Sequence, residues 1–400
     1  MSFTAIPFLI LFFPVSLILH RLCPGKLRTA LLVILSLLFY AWADMRSLPL
    51  LLFSVVFNYL TGLELSEWKA RENRGVARAA LWVSVLLNVA LLCYYKYLAG
   101  SLPVGMSFYT FSAISYIADI YRDRAPAQRD PLKAALYITF FPKLISGPIA
   151  RYEEFSAQLD APDLGREGLF EGGELFLMGL FKKVLLADRL GAAFAAVSGA
   201  DALSAGSAWL GMIFYAMQLY FDFSGYSDMA IGLARMFGFS IGKNFDHPYC
   251  SASVAEFWRR WHISLGAWFR EYVYIPLGGN RRGPARQILN LAVVWVLTGV
   301  WHGSTLNFLV WGLYHGFFVI LERLFLGGKT WTGGARVFRV LLTDLIVFLG
   351  WVLFFSPSLG SALGWYGSMF GAGGGGLIQI APDADCQHGL AQALFDQILQ

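Results

Sequence analysis

Charged side chains are scarce in this sequence. Asp, Glu, Lys and Arg make up 14% of its 400 residues, whereas 57% of the residues are hydrophobic. An ordinary soluble domain carries about 25% charged residues. The composition therefore excludes a soluble globule and indicates an integral membrane protein.

Closely spaced cysteines, internal repeats and a basic stretch before the first apolar run are also lacking. Cys23, Cys93, Cys250 and Cys386 are scattered without a CxxC pair, so neither a disulfide framework nor a zinc site is supported. We therefore predict no metal site. No repeat of fixed period is visible, so an inverted-repeat transporter is not supported. A cleavable signal peptide has a basic residue before its apolar run, but no basic residue precedes the first apolar run here.

Three basic clusters set the expected orientation in the membrane. They lie at 21–28, 69–78 and 122–133, and two apolar runs separate each cluster from the next. The positive-inside rule places all three in the cytoplasm and the N-terminus outside. These loops and their attraction to anionic lipid account for the net charge of +5, so we expect a lipid bilayer and no nucleic acid as partner.

Apolar runs long enough to cross a bilayer, about 20 residues each, recur along the chain. They lie at 5–20, 29–43, 48–63, 79–99, 104–120, 174–197, 206–222, 287–300, 306–326 and 340–356. We predict an all-α polytopic membrane protein with about nine to eleven transmembrane helices. These form a single domain over 1–370, followed by a glycine-rich joint and a polar tail over 371–400. The interrupted segment FPKLISGP at 141–148 predicts a re-entrant stretch and, with it, a central tunnel.

Two histidines stand out in this apolar chain. His262 follows Trp261, and His302 follows Trp301. Imidazole titrates near neutral pH, so it can accept a proton in one step and return it in the next. A single buried histidine satisfied by a backbone carbonyl is an equally good interpretation, but two such Trp-His pairs favour chemistry.

The segment around His262 predicts one helix at the membrane surface. Between 256 and 270 the aromatic residues recur at spacings of three and four, which places them on one face. Arg259, Arg260 and Arg270 fall on the opposite side. An interfacial anchor without a chemical task is the alternative.

A glycine-rich, basic turn follows at 272–283. Its glycines permit positive φ, and Arg281 and Arg282 lie beside them. Such a turn can hold a phosphate or a pantetheine arm. Composition alone favours an ordinary cytoplasmic loop.

Asp222 and Asp228 are the acidic candidates. Asp222 can hold an imidazole in one tautomer, and Arg235 follows Asp228 by about two helical turns, but a structural ion pair is the stronger interpretation for at least one of them. His315, among apolar neighbours, and His247, in a turn, are weaker candidates.

Three ordered motifs resemble the membrane-bound O-acyltransferase family, and within it the branch of the membrane subunit of bacterial alginate O-acetylation. They are FDFSGYSDMA at 221–230, FWRRWHISL at 257–265 and GVWHG at 299–303. Weaker similarity, as in PVGMSFYTF at 103–111, extends the resemblance over roughly 1–370.

The resemblance implies helices arranged around a tunnel and a catalytic residue at His302, with a second histidine or an asparagine at position 262. We expect His302 to act as the general base and His262 to orient the acceptor or to donate to the oxyanion. The expected substrate-binding residues are Trp301, Trp261, Asp222, Asp228, Arg281 and Arg282.

The resemblance also implies a reaction and a location. We expect transfer of an acyl group, in particular acetyl, from acetyl-CoA or an acyl carrier protein across the bacterial cytoplasmic (inner) membrane. The acceptor is an extracellular or cell-envelope polysaccharide, reached directly or through an extracytoplasmic acetyltransferase partner. D-alanyl transfer toward teichoic acid, a transporter of donor or polymer, and a non-catalytic scaffold remain open.

The sequence departs from the family pattern in two places. Members of the family often carry an arginine shortly after the tryptophan of their late span, whereas this sequence has Phe355 at that position. Members also continue through further spans, so we expect a chain that is short or truncated at its C-terminal end.

Overall fold

The structure is a computed structural model that describes residues 2–200, 202–327 and 329–372. All regular secondary structure in these ranges is helical, which confirms the all-α prediction. The predicted joint at 373–376 and the polar tail after it lie outside the described residues.

The chain forms two compact units, and the first comprises residues 2–180 and 226–243. Its α-helices are α1 (Phe13–Leu22), α2 (Gly25–Asp44), α3 (Leu48–Ala70), α4 (Arg74–Cys93), α5 (Met106–Tyr121), α6 (Pro131–Thr139), α7 (Phe141–Leu144), α8 (Tyr152–Ser156) and α9 (Arg166–Phe181). The π-helical turns Phe8–Phe12 and Tyr94–Leu98 extend α1 and α4. Every residue of α5 from Met106 to Ile120 is buried, so α5 is the core helix of this unit.

The second unit comprises residues 181–225 and 244–372. Its α-helices are α10 (Asp188–Ser198), α11 (Ala205–Met236), α12 (Val254–Arg260), α13 (Ile263–Phe269), α14 (Pro284–His302), α15 (Leu306–Phe325), α16 (Gly333–Phe355) and α17 (Leu359–Met369). The last turns of α11, from Tyr226, belong to the first unit. Shorter elements are the π-helical turns Lys182–Ala187 and Arg270–Tyr274 and the 3-10 turn Pro248–Cys250.

Several described helices are suited to a bilayer by length and composition. Five are long and apolar enough to cross it: Gly25–Asp44, Leu48–Ala70, Arg74–Leu98, Leu306–Phe325 and Gly333–Phe355. They match five of the predicted runs, and the shorter apolar helix Phe8–Leu22 matches the first. The total number of spans stays a prediction, because the remaining runs fall on shorter, interrupted or less apolar helices.

The predicted re-entrant segment is irregular and buried. One turn of helix, α7, is followed by irregular backbone up to residue 151, and all residues from 140 to 150 are buried. The Tyr137 hydroxyl donates to the Ala150 carbonyl at 3.0 Å, and the Lys143 ammonium donates to the Ser112 hydroxyl at 2.9 Å. Irregular backbone is tolerated at membrane depth where protein surrounds it, whereas the central tunnel stays a prediction.

Close packing of α14 against α15 positions the end of α14, where His302 lies. A Cβ on Gly299 would lie 2.5 Å from the Phe308 carbonyl oxygen, and one on Gly312 would lie 2.5 Å from the Trp295 carbonyl oxygen. Small residues of this kind allow two helix backbones to approach within a membrane. The two glycines therefore fix the separation of these helices.

Gly312→Ala should destabilise the protein, because its methyl group meets backbone rather than a flexible side chain. We expect a loss of about 1–3 kcal/mol in the free energy of unfolding, measured by thermal unfolding in detergent. Gly364→Ala is the matched control, because Gly364 is also helical and its added methyl group would meet open space among the described residues. An equal or higher unfolding temperature for Gly312→Ala would contradict the packing described.

Candidate active site

His302 is the last residue of α14, and its ring is packed edge-on among aromatic rings. The centroids of Trp301, Trp311 and Phe354 lie 4.6, 5.0 and 5.1 Å from the imidazole centroid. Gly303 follows, and a Cβ there would collide with the Phe308 ring. The turn from α14 into α15 therefore requires glycine at position 303.

His262 lies in a break between α12 and α13. Its backbone is left-handed, with φ 47° and ψ 52°, which few residues other than glycine adopt. The prediction of one continuous helix over this segment is wrong, because Trp261 is extended and His262 reverses the chain. The Ile263 amide donates to the Asn244 carbonyl at 2.9 Å, so a partner outside the helix replaces the helical hydrogen bond.

The Asn244 side chain fixes the orientation of the His262 ring. Asn244 Oδ1 lies 3.1 Å from His262 Nδ1, and it also accepts from the Ser264 amide at 3.2 Å and the Ser264 hydroxyl at 2.9 Å. A backbone N–H can only donate, so the shared atom is the amide oxygen and Nδ1 must donate to it. In the neutral ring, Nε2 then carries the free lone pair.

The His262 imidazole is neutral at physiological pH. It is 5% exposed and lies outside the five apolar spans. Burial lowers its pKa from 6.5 to about 3, because a dry site disfavours the charged ring. His262 can therefore accept a hydrogen bond through Nε2 near pH 7.

The two histidines meet at Trp301. The Trp301 ring lies 6.3 Å from the His262 ring and 4.6 Å from the His302 ring, centroid to centroid. The ring of Phe223, on α11, packs against the His262 ring with a centroid separation of 4.8 Å. Residues far apart in the chain, all within the second unit, thus form one site around two imidazoles.

Comparison with known proteins identifies the family. The model of the membrane-bound O-acyltransferase family matches residues 107–353. The chain belongs to this family.

Proteins similar to this chain differ in their named activity. A probable alginate O-acetylase AlgI of Pseudomonas syringae is 38% identical over 95% of this chain and 77% of that protein. A peptidoglycan O-acetyltransferase of Helicobacter pylori is 34% identical over 88% of this chain and 76% of that protein. A teichoic acid D-alanyltransferase of Bacillus subtilis is 26% identical over 72% of this chain and 80% of that protein.

Family membership makes this protein a membrane acyltransferase and confirms the resemblance drawn from its motifs. The match covers FDFSGYSDMA, FWRRWHISL and GVWHG, and therefore both histidines. In the described ranges, no cluster of three or more His, Cys, Asp or Glu side chains is placed to hold a metal ion.

A carboxylate from α15 anchors the helix that leads to His262. The two Glu322 oxygens accept from the Val254 and Ala255 amides at the start of α12, each at 2.9 Å. Arg339 of α16 donates to the same carboxylate at 3.2 Å and to the Ala252 carbonyl at 3.2 Å. We call Glu322 and Arg339 the α12 clamp, because they hold the first turn of α12 to α15 and α16, two of the five long apolar helices.

The α12 start is also capped locally. The Ser253 hydroxyl accepts from the Glu256 amide at 3.0 Å, and the Glu256 carboxylate accepts from the Ala252 amide at 2.9 Å. This is a variant of the capping box, in which the carboxylate accepts from the amide that precedes the N-cap residue. Local sequence and the clamp therefore determine the same helix start.

Trp261 packs in the aromatic core of the second unit. It lies 5.0 Å from Trp351 and 5.4 Å from Phe257, which makes packing its visible role, while its predicted substrate contact stays a prediction. His315 is fully buried in the same core, 4.9 Å from Trp258 and 5.2 Å from Trp311. Trp311 thus contacts both His302 and His315.

Asp222 takes part in a buried ion-pair network, and its contacts within the described residues do not include a histidine. The Lys183 ammonium lies 3.1 Å from Asp222 and 2.9 Å from Asp188. Of the two interpretations of Asp222, the structural ion pair fits this geometry. Asp228 belongs to the first unit, where Arg235, its expected partner, forms an ion pair with Glu171.

The glycine-rich turn before α14 has the predicted backbone. Gly278, Gly279 and Gly283 have φ of 111°, 56° and 86°, and the Asn290 side chain donates to the Gly279 carbonyl at 2.9 Å. Arg281 and Arg282 are exposed on this turn. No described contact joins them to either histidine, and phosphate binding there stays a prediction.

Several residues of the site carry no signal in the sequence. Asn244 lies in an irregular segment 18 residues before His262, and Glu322 lies more than 60 residues after the helix that it caps. Only the fold brings these pairs together. The capping box at Ser253 and Glu256 was the one local sign that a helix begins there.

Glu322→Gln should loosen the α12 clamp, because it leaves Arg339 partly buried without a carboxylate. We expect a loss of about 1–3 kcal/mol in the free energy of unfolding, measured by thermal unfolding in detergent. The double variant Glu322→Gln/Arg339→Gln should recover part of this loss, because no unpaired charge remains. Wild-type stability in the single variant would exclude the clamp.

Asn244→Asp should raise the pKa of His262, because a carboxylate beside Nδ1 stabilises the imidazolium. We expect an increase of at least about one pH unit, measured by ¹⁵N NMR titration of histidine-labelled protein in bilayers. Ser264→Ala is the control, because it leaves the His262 hydrogen bond in place. An unchanged pKa of His262 in Asn244→Asp would disprove the contact between position 244 and Nδ1.

Proposed function

We propose that this protein is a membrane O-acetyltransferase that passes an acetyl group from an activated cytoplasmic donor to hydroxyl groups of an extracellular or cell-envelope polysaccharide. The observation that carries the proposal is the pair of histidines, His262 and His302, that contact Trp301 from two different segments of one unit. One imidazole with a fixed lone pair and a second at a helix end suit the handling of a hydroxyl proton.

The relatives support acetyl over D-alanyl transfer. Identity is 38% to the alginate O-acetylase and 34% to the peptidoglycan O-acetyltransferase, but 26% to the teichoic acid D-alanyltransferase. The two acetyl-transferring relatives also share more of this chain. The polysaccharide acceptor follows from the same two names, which specify a glycan polymer.

His302 acts as the general base in this proposal. The acceptor oxygen attacks the carbonyl carbon of the acyl thioester, the carbon–sulfur bond breaks, and the hydroxyl proton passes to His302 and then to the departing thiolate. Because His302 ends α14, the carbonyl end of that helix stabilises the positive charge of the transient imidazolium. A base of this kind contributes about 10²- to 10⁴-fold in rate.

His262 orients the acceptor in this proposal. Its Nδ1–H is used by Asn244, so the neutral ring offers Nε2 as an acceptor for a second hydroxyl group of the acceptor molecule, while the reacting hydroxyl gives its proton to His302. This geometry favours acceptor orientation over donation to the oxyanion, because no second N–H remains on the neutral ring.

The donor and the orientation complete the proposal. Acetyl-CoA or an acetylated carrier protein supplies the thioester, and the exposed Arg281 and Arg282 offer cations to the phosphate of either donor. The protein lies in the bacterial cytoplasmic membrane with its N-terminus outside. The polymer receives the acetyl group either directly or through an extracytoplasmic acetyltransferase partner.

His302→Ala should reduce polymer acetylation by at least about 100-fold, because the proton of the acceptor hydroxyl loses its base. The measurement is the acetyl-ester content of the exported and envelope polysaccharide from cells that express the variant, by mass spectrometry after mild alkaline release. The same analysis detects D-alanine, which would replace acetate if the D-alanyl alternative were right.

His302→Gln and His247→Asn serve as companions to this experiment. His302→Gln keeps hydrogen bonding but cannot titrate, so it should be nearly as inactive as His302→Ala. His247 is exposed and has a left-handed backbone, which asparagine tolerates, so His247→Asn should acetylate normally. Near wild-type acetylation by a folded His302→Ala protein would disprove the proposed base.

A further inference from the structure

A cavity of about 540 Å³ in the second unit has a strongly basic lining. We call it the basic pocket. Its cations are Arg259 of α12, Arg323 of α15, Lys329 of the α15–α16 connection and Arg336 of α16. Four elements of the second unit thus contribute positive charge to one cavity.

The carboxylates of the basic pocket do not neutralise these cations. Glu322 is used by the α12 clamp, and Glu256 pairs with Arg260 at 2.8 Å, which is not a lining residue. Within the described ranges Arg259, Arg323 and Lys329 have no side-chain partner, and Arg336 donates only to the Cys250 carbonyl at 3.2 Å. The basic pocket therefore keeps an uncompensated positive charge, which an anion would stabilise.

Two other cavities differ in this respect. In a cavity of about 800 Å³ in the first unit, Lys69 is paired with Asp123 and donates to two backbone carbonyls. In another of about 490 Å³, Arg235 is paired with Glu171. Of these three cavities, the basic pocket has the most cations without a carboxylate partner in the described part of the chain.

The depth of the basic pocket fits a lipid better than a free ion. Val319 lines it six residues before the end of α15 at Phe325, which is about 9 Å along the helix axis. Leu291, Leu326 and Trp331 complete an apolar wall. Phe325 and Val337, at the adjoining ends of two spans, are 72% and 60% exposed, as lipid-facing residues are. Cationic and apolar side chains that line one cavity match a phosphate attached to a glycerol and acyl chains.

We propose that the basic pocket binds a phosphate group, and that the headgroup of an anionic phospholipid of the cytoplasmic leaflet supplies it. Arg323 and Lys329 provide charge-assisted hydrogen bonds, and Arg259 brings α12 to the same phosphate. The bound lipid joins the start of the His262 segment to the ends of α15 and α16, beside the α12 clamp. This inference goes beyond acyl transfer and does not depend on it.

The test compares lipid binding by the purified full chain in detergent, measured by native mass spectrometry. Phosphatidylglycerol should bind more tightly than phosphatidylcholine of the same acyl chains. Arg323→Gln/Lys329→Gln should weaken phosphatidylglycerol binding about 25-fold, or about fivefold for each cation, with no change for phosphatidylcholine. Both residues are exposed and unpaired within the described part of the chain, so the variant should keep its unfolding temperature.

The matched control is Lys26→Gln/Arg78→Gln, which removes two exposed cations of the first unit. This control measures the general attraction of exposed cations to anionic lipid, so it should weaken phosphatidylglycerol binding less than Arg323→Gln/Lys329→Gln does. Equal affinity for the two lipids, or an equal loss in both double variants, would overturn the proposal. A parallel titration with inorganic pyrophosphate distinguishes a lipid headgroup from a free phosphate compound. If wild-type protein binds pyrophosphate, Arg323→Gln/Lys329→Gln does not, and the wild type shows no preference for phosphatidylglycerol, the phosphate site would be supported and the lipid as its source would be overturned.

Discussion

One side-chain oxygen, Asn244 Oδ1, determines how the site around His262 is built. It accepts from His262 Nδ1 and from both the amide and the hydroxyl of Ser264. A left-handed histidine costs about 1–3 kcal/mol, and these hydrogen bonds offset that cost. The same contact breaks the helix, orients the imidazole and selects its tautomer, so the chemistry assigned to His262 depends on it.

The two histidines occupy environments that suit different tasks. His262 is buried, neutral and held by a neutral amide, which favours an unchanging hydrogen-bond acceptor. His302 is partly buried at the end of α14, where a transient positive charge is stabilised by the helix. The α12 clamp and the glycine contacts between α14 and α15 hold the two segments by independent means. Each segment therefore keeps its position relative to Trp301 within the second unit.

Features that depend on local sequence could be predicted, and features that depend on distant contacts could not. Hydropathy is local, so both ends of α2 and α15, the start of α3 and the end of α16 were predicted within a few residues, and the positive φ of Gly278 follows from its turn. The other ends of α3 and α16 extend beyond the predicted apolar runs. The helical spacing around His262 was misleading, because tertiary hydrogen bonds from Asn244 override it. Lys183 lies 39 residues before Asp222, so no local sequence pattern could predict their ion pair.

The protonation of His262 can be measured directly, by solid-state ¹⁵N NMR of histidine-labelled protein in bilayers. Subtraction of the spectrum of His262→Gln assigns its two ring nitrogens. We expect a protonated Nδ1 and an unprotonated Nε2 at neutral pH, unchanged down to about pH 5, because burial lowers the pKa well below that value. A protonated Nε2 at neutral pH, in either the other tautomer or the imidazolium, would contradict the role of Asn244 and the chemistry assigned to His262.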